Sequence, residues 1–161
     1  MSDPEPRYTD APRAVYITAA AAVGLDLFSL PLPWVDFSFL GFAFERSAMT
    51  LTDGGGFICL AVLAGVGVLV YQAGSRRTSC ERYTFSFWAA LFLGLYTFLL
   101  FLTPSILREL LNKEAAVQGA GGPPAQIHAG DFMTMGTGYF LALFTSIIAT
   151  AACGYIANRN R

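Results

Sequence analysis

Asp26 stands alone as an acid inside a long apolar run, so its surroundings decide whether it does chemistry. It lies eight residues before Trp34, about 12 Å along a helix. An acid at membrane depth is a candidate for coupling a proton or cation to transport. The alternative is a structural acid near the outer leaflet, held by hydroxyls or loop backbone. No Lys, Arg or His falls in another apolar run to pair with it. Thr145, Ser146 and Thr150 place a stripe of hydroxyls on the last such run. Those groups bond their own backbone or another helix, typically for under about 2 kcal/mol each.

The remaining chemical candidates are sparse. Cys59, Cys80 and Cys153 are dispersed and form no CxxC, which argues against thiol oxidation and reads as small packing residues. His128 is the single histidine; with only Asp131 near it, in GAGGPPAQIHAGD, it makes no metal set. Gly54-Gly55-Gly56 has no following Lys and reads as a turn, not a phosphate loop. GxSxG, HExxH, Walker A and GxGxxG patterns are absent from the sequence. The expectation is a non-catalytic protein with no cofactor and no metal.

The elements that would hold these residues are membrane helices. Hydrophobic residues make up 55% of the chain and charged ones 13%, about half the usual charged share of a soluble domain. Net charge is −1 and the basic residues are scattered, which sets nucleic acid aside. Four apolar stretches predict a single four-transmembrane-helix domain, mainly α, with helices at 14–32, 57–72, 83–103 and 132–157. Thr103-Pro104 predicts a kink, followed by an amphipathic extension of the third helix to 117. Ala20/Gly24 and Ala61/Gly65 are small-xxx-small pairs that let another helix approach closely. The polar N-terminus lacks the order of a cleaved signal, so the first helix is read as retained. Arg7, Arg13, Arg76, Arg77, Arg82, Arg159 and Arg161 on one side outnumber Arg46, Arg108 and Lys113 on the other. That bias predicts an inner-membrane, multi-pass protein with both termini cytoplasmic.

Between the first two helices, residues 34–53 are too polar to span and too aromatic for an ordinary loop. Apolar residues alternate on odd numbers (Val35, Phe37, Phe39), then on even ones (Leu40, Phe42, Phe44). The switch predicts an extracellular β-element with a bulge or tight bend beside Gly41, turning at Glu45-Arg46-Ser47 and resuming at Met49 and Leu51. A re-entrant segment or short amphipathic helix is the alternative.

Leu32-Pro33-Trp34-Val35, with Asp53-Gly54 opening the second helix, resembles small bacterial four-helix membrane proteins with an LPW…DG first outer segment. The layout is similar to the claudin-type tetraspan arrangement, although the paired cysteines and Gly-Leu-Trp of animal claudins are missing. The resemblance implies a topology and no activity. An accessory or scaffold subunit is expected, contacting lipid and other membrane-protein subunits or copies of itself. Trp34, Phe37, Phe39, Phe42, Phe44 and Gly65 are its candidate contacts. A small transporter or channel using Asp26 is the alternative, and a lipid-handling or envelope-sensing role a third.

Overall fold

The computed structural model describes residues 11–39, 42–51, 55–76, 78–118 and 133–161. The loop with His128 and Asp131, the Asp53-Gly54 pair, Leu40-Gly41, and the side chains of Phe39, Phe42 and Phe44 lie outside the described residues. The chain is mainly helical. Helix α1 (Arg13–Ser29) leads into strands β1 (Pro33–Phe39) and β2 (Phe42–Ser47), then a single turn, α2 (Ala48–Leu51). Helices α3 (Gly55–Ser75) and α4 (Ser79–Gln118) follow, then β3 (Met133–Met135) and α5 (Thr137–Arg159).

Neighbouring long helices run in opposite directions. Helix α1 packs on α3 and α5, and α4 packs on the same two. Gly74 and Gly67 of α3 face Tyr16 and Val23 of α1, so sequence order reverses between them. Asn160 donates to the Tyr16 hydroxyl at 3.3 Å, while Thr145 donates to Asp26, which reverses α5 against α1. The Arg13, Ser75, Ser79 and Arg159 ends therefore lie together, and the sheet sits at the other end.

The helices are inverted relative to a water-soluble bundle. Their packed faces carry small and polar residues: Ala19, Ala22, Asp26, Ser86, Ala142, Thr145, Ser146 and Ala149. Their outer faces carry Phe28, Phe57, Ile58, Phe98, Phe101 and Phe144, each more than half exposed. Small residues let helix backbones approach where lipid removes the hydrophobic drive to bury large ones. Among the described residues, three helices are long and apolar enough to cross a membrane, over Gly56–Ser75, Ser79–Leu110 and Thr137–Arg159. Helix α1 has 17 residues, about 25 Å at the helical rise. It stops at Ser29, short of the expected 32, because Pro31 and Pro33 cannot extend the amide ladder. The Ser29 carbonyl is taken instead by the Leu32 amide at 3.1 Å and the Trp34 indole at 2.9 Å.

The stretch after α1 is a hairpin, where one bulged or bent strand was expected. Strand β1 pairs antiparallel with β2, Phe37 opposite Phe44 and Phe39 opposite Phe42. Cross-strand partners occupy one face. Odd positions of β1 and even positions of β2 therefore share a face, and the phase switch marks the hairpin's reversal. Glu45-Arg46-Ser47 belongs to β2 instead of a turn, and Met49 lies in α2 instead of a second strand. A register shift does occur, between Pro33 and Val35. It lets two consecutive side chains, Trp34 and Val35, both be buried, as strict alternation would forbid.

A third strand was not expected. Met133–Met135 pairs with the other edge of β1, giving the order β2-β1-β3. Helix α5 consequently starts at Thr137, five residues after the expected 132. The Gly136 amide donates to the Trp34 carbonyl at 2.8 Å. A Cβ at Gly136 would meet the Pro33 carbonyl oxygen at 2.5 Å, and one at Gly138 the Trp34 ring at 2.6 Å. Both glycines are required by this close approach.

Helix α4 is continuous through Pro104 for 40 residues, about 60 Å and twice the hydrocarbon thickness of a bilayer. Pro104 has no N–H to give the Leu100 carbonyl. The buried Tyr139 hydroxyl donates to that carbonyl at 3.1 Å. Where water is excluded, a neighbouring side chain must do this.

Gly138→Ala will lower stability by about 1–3 kcal/mol, the usual cost of overpacking. Gly24→Ala, with nothing within 4 Å of its added methyl, will lose none. Thermal unfolding of both variants in one detergent checks this; equal losses would contradict it.

Candidate functional site

Helices α1, α4 and α5 each bury polar side chains inside the bundle. Asp26, on the inner face of α1, is fully buried. Thr145 of α5 donates to its Oδ1, and Thr145 Oγ1 also lies 2.7 Å from the Leu141 carbonyl of its own helix. Ser29 Oγ donates to the Asp26 backbone carbonyl at 2.6 Å. Asp26 Oδ2 is buried with no hydrogen-bond partner among the described residues. From α4, the Tyr96 hydroxyl is likewise buried and unpartnered.

Toward the other end the threonine hydroxyls donate mainly to their own helices. Thr97 and Thr150 meet at 3.5 Å between α4 and α5, while each donates to its own helix, at 2.8 and 2.7 Å. Ser146 donates to the Leu143 carbonyl at 3.0 Å. The expected stripe of α5 therefore divides its work. Thr145 reaches across to the acid; Ser146 is turned onto its own backbone.

A buried carboxyl bonded to a threonine of another helix can bind a small polar species or hold helices in register. Among the described residues, no group of three or more His, Cys, Asp or Glu could hold a metal ion. Cys153 is buried and Cys80 exposed, and neither is in a disulfide.

The candidate contacts fall in different places. Trp34, expected at a partner-facing surface, is only 4% exposed and is committed to its own chain through Ser29 and an edge-on contact with Tyr139 at 6.2 Å. The register shift turns it inward. Phe37 is partly buried against the core. Gly65 faces outward with no heavy atom within 4 Å of an added Cβ. Sequence reasoning missed Tyr96, Tyr139 and Ser29. A phenol in mid-span was a signal for Tyr96, and the carbonyl freed by Pro104 was a signal that some donor had to exist.

Comparison with family models, curated proteins and solved structures returned no match.

Thr145→Val will cost about 1–3 kcal/mol by leaving Asp26 Oδ1 unpartnered. Combined with Asp26→Leu, the loss will be smaller than the sum of the single losses. A double-mutant cycle by thermal unfolding checks the coupling, and additive losses would contradict it.

Proposed function

We propose that this is a non-catalytic integral membrane protein, an accessory or scaffold subunit that packs beside partner membrane proteins or copies of itself. In this reading α1 joins the three apolar helices as a fourth span. The layout is claudin-like, with the sheet outside and both termini in the cytoplasm. Arg13, Arg76, Arg82, Arg159 and Arg161 lie at the end away from the sheet, which supports that orientation.

One observation carries the reading. Ala61 and Gly65 of α3 form a small-residue pair on an exposed face that no other part of the described chain covers. Inside this bundle, equivalent small residues are spent on contact: Gly67 on Val23, Gly74 on Tyr16. Lipid tails gain nothing from a groove in a helix, whereas another helix gains close packing. Ala20 and Gly24 repeat the pattern on α1. Phe37 and the aromatic positions paired across the hairpin offer a second contact region at the sheet.

Cross-linking in native membranes followed by gentle extraction will recover the chain with a stoichiometric companion, a second copy or another membrane protein. Gly65→Leu will reduce that recovery without lowering thermal stability. A chain that cross-links to nothing and runs as a lone monomer would contradict the proposal.

A further inference from the structure

A cavity of about 340 Å³ opens between the start of α4 and the end of α5, lined by Ser79, Cys80, Tyr83, Asn160 and Arg161. That size falls within the usual range of small-ligand sites, about 300–1,000 Å³. Arg161 is the only charged side chain in the lining, and Ser79 and Tyr83 bring hydroxyls. Asn160 makes a fixed wall: it is buried, and its amide nitrogen donates to the Ile156 carbonyl at 2.7 Å and the Tyr16 hydroxyl at 3.3 Å. Ser79 and Cys80 open α4, where amides have no carbonyl of their own helix to bond. Arg13, Arg76, Arg82 and Arg159 lie at the same end. Among the described residues the one acid there is Glu81, which accepts from the Thr78 hydroxyl at 2.9 Å and does not line the cavity. This is the chemistry of an anion site.

A second feature says which anion. Tyr83, in the cavity wall, stacks on Phe87 with ring centroids 5.9 Å apart. Phe87 meets Trp88 edge-on at 5.9 Å, and Trp88 lies 6.1 Å from Phe92. Phe87, Trp88 and Phe92 are all exposed, so a continuous aromatic track runs from the cavity along the outer face of α4. A free phosphate has no use for such a track, whereas an acyl chain does. We propose that the cavity holds the phosphate headgroup of an anionic phospholipid, with an acyl chain lying along Tyr83, Phe87, Trp88 and Phe92. Basic pockets between membrane helices suit such headgroups. The inference rests on the bundle sitting in a bilayer and not on the scaffold reading, which concerns other faces.

Quenching of tryptophan fluorescence by brominated lipid tests it, because bromine quenches only at close range. The full-length protein is placed in dioleoylphosphatidylcholine vesicles, and brominated-chain phosphatidylglycerol or phosphatidylcholine replaces a rising fraction of the lipid. Trp88 reports on the track, while Trp34 is buried at the far end of the bundle. Brominated phosphatidylglycerol will quench the wild type at a several-fold lower mole fraction than brominated phosphatidylcholine. Arg161→Gln will cut that preference about fivefold, the equivalent of ~1 kcal/mol for one basic residue at an anionic surface. Arg159→Gln removes the same charge from a residue outside the lining and will cut it by less than half as much. Excess inorganic phosphate, matched in ionic strength with chloride, will leave the wild-type preference in place. Equal quenching by the two lipids in the wild type, or quenching by neither, would overturn the proposal. Equal losses in the two arginine variants would reduce the site to diffuse surface charge and overturn it too. A preference abolished by inorganic phosphate would make this a free-phosphate site and overturn the lipid assignment.

Discussion

An apolar medium offers no donor to a backbone carbonyl that loses its amide, and Pro104 strips Leu100 of one. The Tyr139 hydroxyl supplies the replacement. That bond fixes the first turn of α5 against the middle of α4. Tyr139 meets Trp34 edge-on, and Trp34 caps the last turn of α1 through the Ser29 carbonyl. Two side-chain donors thus satisfy two carbonyls on different helices, and the contact between their rings ties α1, β1, α4 and α5 together. The glycines at 136 and 138 follow from it, since larger residues would collide with Pro33 and Trp34.

This joint explains why the sheet needs no disulfide. A two-stranded hairpin alone is marginal in water. Here a third strand pairs with its free edge, and its central strand begins with an indole buried in the bundle. The same stretch reaches inward through α1. Ser29, whose carbonyl receives the indole, bonds through its hydroxyl to the Asp26 carbonyl, one turn above the carboxyl that Thr145 holds. The joint and the polar centre are adjacent turns of one helix.

Much of this was legible in the sequence, and the failures have physical causes. The long apolar helices followed from hydropathy and length. Their inverted packing followed less directly, from glycine and alanine spacing. The alternation between Val35 and Phe44 announced strands, but a period-2 pattern that changes phase is common to a bulge and a hairpin. Only pairing tells them apart. Strand β3 was hidden because three residues are too few for a pattern, and Phe132 continued the hydropathy of the helix behind it. Asp26 stood out at once as a lone acid; its partner Thr145 lay among the hydroxyls already singled out. Tyr96 and Tyr139 did not stand out, because an aromatic in a membrane span reads as apolar until its hydroxyl is located.

Tyr139 replaces an amide that Pro104 cannot supply, and a measurement in two backgrounds tests this directly. Thermal unfolding is measured for Tyr139→Phe in the wild-type chain and again in Pro104→Ala, where position 104 regains its N–H. The loss will be about 1–3 kcal/mol in the first background, the cost of an unsatisfied buried acceptor, and much smaller in the second. The same loss in both would contradict it.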